Sequence, residues 1–270
     1  MTIPIVVAAF GTTSRAMQTY AHMDVVFKKR FGGHEIHWAY TSRMVKDRLK
    51  RKRKFTQRFP HEVLADLGRQ GHPWAVVQSL HLACAHEFYR LVAEVDQDGV
   101  RTSMGLPLLT AIEDYAGVVR ALAPLVEKNE DEALVLVGHG TDHPSWSAYA
   151  ALQHMFAQRY GAKVHVGTVE EGYPDQAAIV RAVTAGGYAR VRLAALMLVA
   201  GMHFEEDLVG GEKSWKAAFE TAGIQVELEP GGLGLNPQIV EIFCRHMEAA
   251  LDIIPQMGGQ CNENKLKISI

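Results

Sequence analysis

The chain reads as α/β, with two pseudo-symmetric halves, each a parallel sheet flanked by helices, and a cleft between them. Three observations predict this. Apolar strand-like runs alternate with helical patterns along the 270 residues, the signature of parallel, doubly wound sheets. The run Leu134–Val137 is continuously apolar, as expected of a central strand covered on both faces. The second half also repeats the first. A shift of 129 positions lays Phe10-Gly11-Thr12 on His139-Gly140-Thr141, Tyr20 on Tyr149, Phe27 on Phe156, Arg30 on Arg159 and Gly32 on Gly161. One register held across a strand, a turn and a helix is more than composition produces.

From the amino terminus, Ile3–Phe10 is the first strand. It turns at Gly11-Thr12-Thr13-Ser14 into a helix that Gly32-Gly33 stops. Glu35–Tyr40 is a short strand, Lys46–Lys54 (K-D-R-L-K-R-K-R-K) a basic helical stretch, and Val63–Arg69 helical until Gly71-His72-Pro73. Ala75–Leu82 is a strand, a helix starts near His86-Glu87, and Gly105–Leu109 is a further short strand before the helix Ile112–Lys128. The charged connection Glu127–Glu132 divides an amino-terminal half, 1–128, from a carboxy-terminal half, 129–257, and 258–270 reads as a loose tail. In the second half, Val164–Val169 and Leu193–Val199 are the strands that accompany Leu134–Val137.

Composition narrows the class. A hydrophobic content of 48% supports a globular core, and a net charge of −2 gives no reason to expect nucleic acid or an anionic membrane as partner. Three scattered cysteines make neither a zinc ribbon nor a disulfide framework. With no signal peptide or spanning segment, the expectation is a cytoplasmic protein, and a homo-oligomer is left open.

The chemistry gathers at strand ends, where ligands bind in open α/β sheets. Gly138 and Gly140 strip side chains from either side of His139, leaving its imidazole in open space. Glu170-Glu171 follows Val164–Val169, and His203 follows Leu193–Val199. Carboxyl ends of parallel strands converge on one edge, so two imidazoles and a carboxylate can meet there. That set suits a divalent first-row metal, or a general base beside a cation. Blander readings stand beside these. A strand-end histidine can serve only as a cap, Glu170 and Glu171 can be solvated, and Glu205-Glu206-Asp207 can merely stabilise a helix start. Lys46–Lys54 is either a solvated face or an attractor of a polyanion. No Walker loop, GxGxxG, HExxH or GxSxG motif is present, so nucleotide-dependent and hydrolytic readings lose ground, and no nucleotide cofactor is expected.

Several blocks then carry a resemblance. V-V-A-A-F-G-T-T at Val6–Thr13, Y-T-S-R at Tyr40–Arg43, Q-S-L-H at Gln78–His81, V-G-H-G-T at Val137–Thr141, T-V-E-E-G-Y-P at Thr168–Pro174, M-L-V-A-G-x-H at Met197–His203 and G-L-G-x-N-P at Gly232–Pro237 resemble the anaerobic-type sirohydrochlorin cobaltochelatases, the class II CbiK-like chelatases. The resemblance implies a chelatase-like fold and insertion of Co2+ into sirohydrochlorin during early-insertion cobalamin synthesis. It also implies His139, His203 and Glu171 as metal ligands, with the two histidines catalytic and Glu87, the counterpart of His203 across the cleft, as a second acid/base. Ala85-His86-Glu87 departs from the family's glycine and acidic pair. Phe10, Gly11, Thr12, Arg43 and Gly140 are the expected tetrapyrrole contacts, and Lys46–Lys54 a candidate partner for its carboxylates. His81 matches a region that carries haem in exported relatives, and no haem is expected here. The alternatives are a ferrochelatase accepting Fe2+ at the same site, and a non-catalytic tetrapyrrole- or metal-binding protein.

Overall fold

The computed structural model describes residues 2–11, 17–42, 57–96, 99–169, 172–201 and 204–255. They form two four-stranded, all-parallel sheets of the same topology. The first contains β1 (Ile5–Ala9), β2 (Ile36–Tyr40), β3 (Trp74–Ser79) and β4 (Arg101–Gly105), in the order β2-β1-β3-β4. The second contains β5 (Glu132–Gly138), β6 (Val164–Thr168), β7 (Arg190–Leu196) and β8 (Gln225–Glu229), in the order β6-β5-β7-β8. The equivalence reaches the register. Ala8 on β1 pairs with Ala39 and Ser79, and Val137 on β5, its counterpart, pairs with Gly167 and Ala195.

The unbroken apolarity of the central strands has a direct cause. Successive strand residues point to opposite faces. Ile5, Val7 and Ala9 enter a core shared by both halves, while Val6 and Ala8 pack into a layer on the outer face of the first sheet. On β5, Leu134 and Leu136 enter the shared core, and Ala133, Val135 and Val137 the outer layer of the second sheet. Neither face is free to be polar.

Eight α-helices are described: α1 (Met17–Arg30), α2 (Pro60–Arg69), α3 (His86–Glu94), α4 (Ile112–Val126), α5 (Ser147–Tyr160), α6 (Gln176–Ala185), α7 (Trp215–Thr221) and α8 (Pro237–Ile253). The chain exchanges helices between the sheets. After β4, α4 packs on β5 and α5, whereas α8, which closes the described chain, returns to lie on β3 and β4. Ser103 on β4 donates a hydrogen bond to the Ala250 carbonyl at 2.7 Å, and Arg30 of α1 pairs with Glu248 at 2.7 Å. Phe243, Met247 and Ala250 of α8 fill the shared core beside Leu122 of α4. The two sheets are thereby held as one packed body around their cleft.

One strand departs from expectation. The sequence predicts Gly105–Leu109, whereas β4 runs Arg101–Gly105. Its start is polar because Arg101 and Thr102 of this edge strand are exposed and half-buried, while buried Ser103 bonds the Ala250 carbonyl. Beyond Gly105, Pro107 has no N–H to donate to a ladder. The amides of Leu108 and Leu109 instead donate to the His81 and Leu82 carbonyls at 3.0 and 2.7 Å, which ties this segment to the end of β3.

Candidate active site

Two turns of the same construction follow the central strands of the two sheets. β1 ends at Ala9 and continues into Phe10-Gly11, and β5 ends at Gly138 and continues into His139-Gly140. Gly11 and Gly140 take φ of 99° and 90°, a region that disfavours side chains with a Cβ. The Gly11 amide donates to the Tyr20 hydroxyl on α1, and the Gly140 amide to the Tyr149 hydroxyl on α5, each at 3.3 Å. Burial pushes both phenols above their ordinary pKa, so they stay protonated and accept through a lone pair.

Gly138 has a different reason to be glycine. A Cβ there would lie 2.4 Å from Cε1 of Tyr149, so the ring occupies the space a side chain would need. The two glycines beside His139 therefore serve the backbone and its packing, rather than clearing room for the imidazole as the sequence alone suggests. His139 itself is exposed at the strand end, and its Nδ1 lies 3.4 Å from the Gly140 carbonyl. At the equivalent position in the first half, Phe10 presents an apolar ring, 42% exposed. One turn thus presents an imidazole, and the other a flat hydrophobic surface.

Both halves contribute to a cavity of about 660 Å³. It is lined by the start of α3, with Glu87 and Arg90, and by the β5 turn, with His139, Gly140 and Asp142. Glu87 accepts a hydrogen bond from Arg90 at 2.6 Å, which holds the only lysine or arginine lining this cavity among the described residues against the carboxylate. His86 reaches across to Asp142, Nε2 to Oδ1 at 2.9 Å, and its ring stands edge-on to His143 at 4.9 Å. That is a direct link between the halves at the cavity wall. His143 is occupied locally, since the Ser145 amide donates to its Nδ1 at 3.1 Å. At the rim of the second sheet, Trp146 and Tyr173, 40% and 63% exposed, form an edge-to-face pair with centroids 6.0 Å apart.

The described residues thus bring together His139, Gly140 and Glu87, with Phe10 and Gly11 on the matching turn of the first half. Glu171, His203, Thr12, Arg43 and the basic run at residues 46–54 lie outside the described residues, as does the tail at 258–270. Gly138 pairs with Thr168 of β6 on one side and Leu196 of β7 on the other. These two strands precede Glu171 and His203 in sequence and end level with the strand that carries His139. Among the described residues, no group of three or more histidine, cysteine, aspartate or glutamate side chains is placed to hold a metal. The acidic stretch at 205–207 falls in a π-helical turn, Phe204–Val209.

His81, at the end of β3, is unlike the other strand-end residues. Its Nδ1 is 2.8 Å from the Ser79 hydroxyl, its Nε2 is buried with no hydrogen-bond partner, and burial lowers its pKa to about 4. The ring is neutral near neutral pH. Sequence reasoning missed the His86–Asp142 link because it exists only once the halves face each other, and it missed the Glu87–Arg90 pair although a spacing of three on one helix could have signalled it. It matched Tyr20 with Tyr149 in the repeat, but nothing in that match says what the hydroxyls hold.

With this geometry in hand, comparison with known proteins gives a consistent picture. A sequence family described as cobalt chelatase (CbiK) matches residues 4–252. The sirohydrochlorin cobaltochelatase of Salmonella typhimurium is 35% identical over 221 residues, 80% of this chain and 83% of that protein. The sirohydrochlorin cobaltochelatase CbiKC of Nitratidesulfovibrio vulgaris is 32% identical over 260 residues, 93% of this chain and 91% of that protein. Among solved structures, SirB from Bacillus subtilis with Fe3+ superposes with a TM-score of 0.67 at 16% identity, covering 93% of this chain and 96% of that one. A cobalt complex of the sirohydrochlorin chelatase SirB from Bacillus subtilis subspecies spizizenii gives 0.66 at 15% identity, with the same coverage. These two share the fold.

Proposed function

The chain belongs to the cobalt chelatase (CbiK) family, and we infer that it is a sirohydrochlorin cobaltochelatase, inserting Co2+ into sirohydrochlorin with release of two protons. The observation that carries this reading is near-complete alignment with two sirohydrochlorin cobaltochelatases at 32–35% identity. The exposed imidazole of His139 in the cavity wall, and the exposed ring of Phe10 on the equivalent turn of the first half, support it.

The reaction exchanges two pyrrole N–H protons for a cation that must shed its water. An imidazole suits either half of that exchange, since it can ligate a divalent metal or accept a proton near neutral pH. We assign metal capture to His139, His203 and Glu171, in which two nitrogen donors and one carboxylate offset part of the cation's charge and leave coordination positions for the macrocycle nitrogens. We assign the pyrrole proton to Glu87, which lines the cavity across from His139 beside its partner Arg90. Phe10 and Gly11 provide a flat approach for the ring, and Arg43 with the basic run at 46–54 supplies further cationic partners for its carboxylates.

Fe2+ is the competing metal, because the ligand set does not by itself separate two neighbours in the first-row series. An anaerobic absorbance assay with sirohydrochlorin and Co2+ or Fe2+ tests the whole reading. Formation of the cobalt product in catalytic amounts is expected, with Co2+ preferred in competition. Stoichiometric binding of sirohydrochlorin with no metal-dependent spectral change would return the protein to a carrier role.

A further inference from the structure

The grip of Tyr149 on the β5 turn is double. Its ring fills the space above Gly138, and its hydroxyl accepts the Gly140 amide proton. His139 is the one residue between these two points, so a single buried side chain fixes the backbone on both sides of it. A glycine at positive φ has wide conformational freedom when nothing holds it. Here the freedom is removed by a phenol that reaches back from the first turns of α5. Tyr20 makes the matching bond to Gly11 from α1, where it is packed among Trp38 and Tyr40 with centroids 5.4 and 6.0 Å away. Neither tyrosine lines the described cavity. Each acts through the turn it holds.

We propose that Tyr149 is the positioning residue that sets His139 for metal capture, and that Tyr20 does the same for Phe10 against the macrocycle. The inference rests on His139 being a metal-handling residue. The two phenols are equivalent in the fold but serve different substrates, because the residue each one aims differs. Loss of one hydroxyl therefore separates the kinetics of the two substrates, which general loosening of the fold does not do.

The test is steady-state cobalt insertion with Co2+ and sirohydrochlorin varied separately, in Tyr149→Phe and Tyr20→Phe. Tyr149→Phe keeps the ring over Gly138 and should lower kcat/KM for Co2+ on the order of tenfold, with the sirohydrochlorin KM unchanged. Tyr20→Phe should raise the sirohydrochlorin KM and leave the Co2+ KM as it was. Gly138→Ala, whose Cβ would lie 2.4 Å from Cε1 of Tyr149, displaces that ring from the turn without touching the cavity lining and should reproduce the Tyr149→Phe pattern. It decides the matter if Tyr149→Phe does not fold, as judged by circular dichroism. Wild-type kinetics in Tyr149→Phe, or proportional losses for both substrates in both tyrosine variants, overturn the proposal. His139→Ala separates the layers. If it is inactive while Tyr149→Phe is normal, only the positioning role fails; if it is fully active, the reading of the cleft itself fails.

Discussion

Replacing His81 with glutamine should make the protein less sensitive to acid, by an amount that follows from its burial. The folded-state pKa of His81 is about 4 against an ordinary 6.5, because the ring is taken out of water and Nε2 finds no partner. The unfolded chain therefore binds a proton that the folded chain refuses between these two values. The stabilisation is complete above about pH 6.5, declines as pH falls, and is fully lost below about pH 4. At pH 5 the linkage amounts to at most about 2 kcal/mol, since one pKa unit corresponds to about 1.4 kcal/mol. Urea unfolding of wild type and His81→Gln at pH 8 and pH 5 measures it directly. Wild type should lose about 2 kcal/mol more than the variant over that interval. His165, whose pKa burial also lowers, titrates in both proteins and cancels in the comparison. Parallel losses in the two proteins would refute the argument, because they would mean that the folded protein protonates His81 as readily as the unfolded chain does.

Other perturbations test separate parts of the structure. His139→Ala and His203→Ala should each abolish cobalt insertion while leaving the melting temperature within a few degrees of wild type; full activity in both removes the metal-site assignment. Glu171→Gln should weaken Co2+ binding measured by titration calorimetry, and unaltered affinity would move the carboxylate role elsewhere. Gly138→Ala places a Cβ 2.4 Å from the Tyr149 ring and should cost about 1–3 kcal/mol in chemical denaturation, with the fold retained. Arg192→Ala strips the cation that pairs with buried Glu132 at 3.0 Å and with Glu229 at 3.3 Å, and should cost about 3–5 kcal/mol. Removing both ends, as Arg192→Met with Glu132→Gln, should recover much of that loss.

How much of this was legible in the sequence depends on whether a residue's neighbours are local. β1 and β5 could be read because both their faces are covered, which forces an apolar run that no other local structure explains as well. β4 was displaced, and the alternating Gln225-Val226-Glu227-Leu228-Glu229 of β8 drew no prediction, because edge strands carry polar residues that dilute the pattern. The apolar face of α8 announces burial but not its place. Ile239, Phe243 and Met247 would look the same packed on either sheet, and only the fold shows them returning to the first. The site divides in the same way. His139 was visible because strand, glycine and histidine adjoin in sequence, whereas the opposition of Glu87 and Arg90 to it depends on two halves meeting.

The repeat sharpens what specialisation requires in such a fold. Both turns keep the strand, the positive-φ glycine and the tyrosine that holds it. These parts fix where a side chain projects and say nothing about its chemistry. Under the proposed function, the asymmetry between metal side and macrocycle side enters at the residue in between, phenylalanine in one half and histidine in the other. Exchange of the two identities, Phe10→His with His139→Phe, follows from this as a demanding case. It leaves both turns intact, yet it should abolish insertion, because β6 and β7, which lead to Glu171 and His203, flank β5 and not β1. Retained activity in the exchanged protein would show that the metal site does not depend on the second sheet.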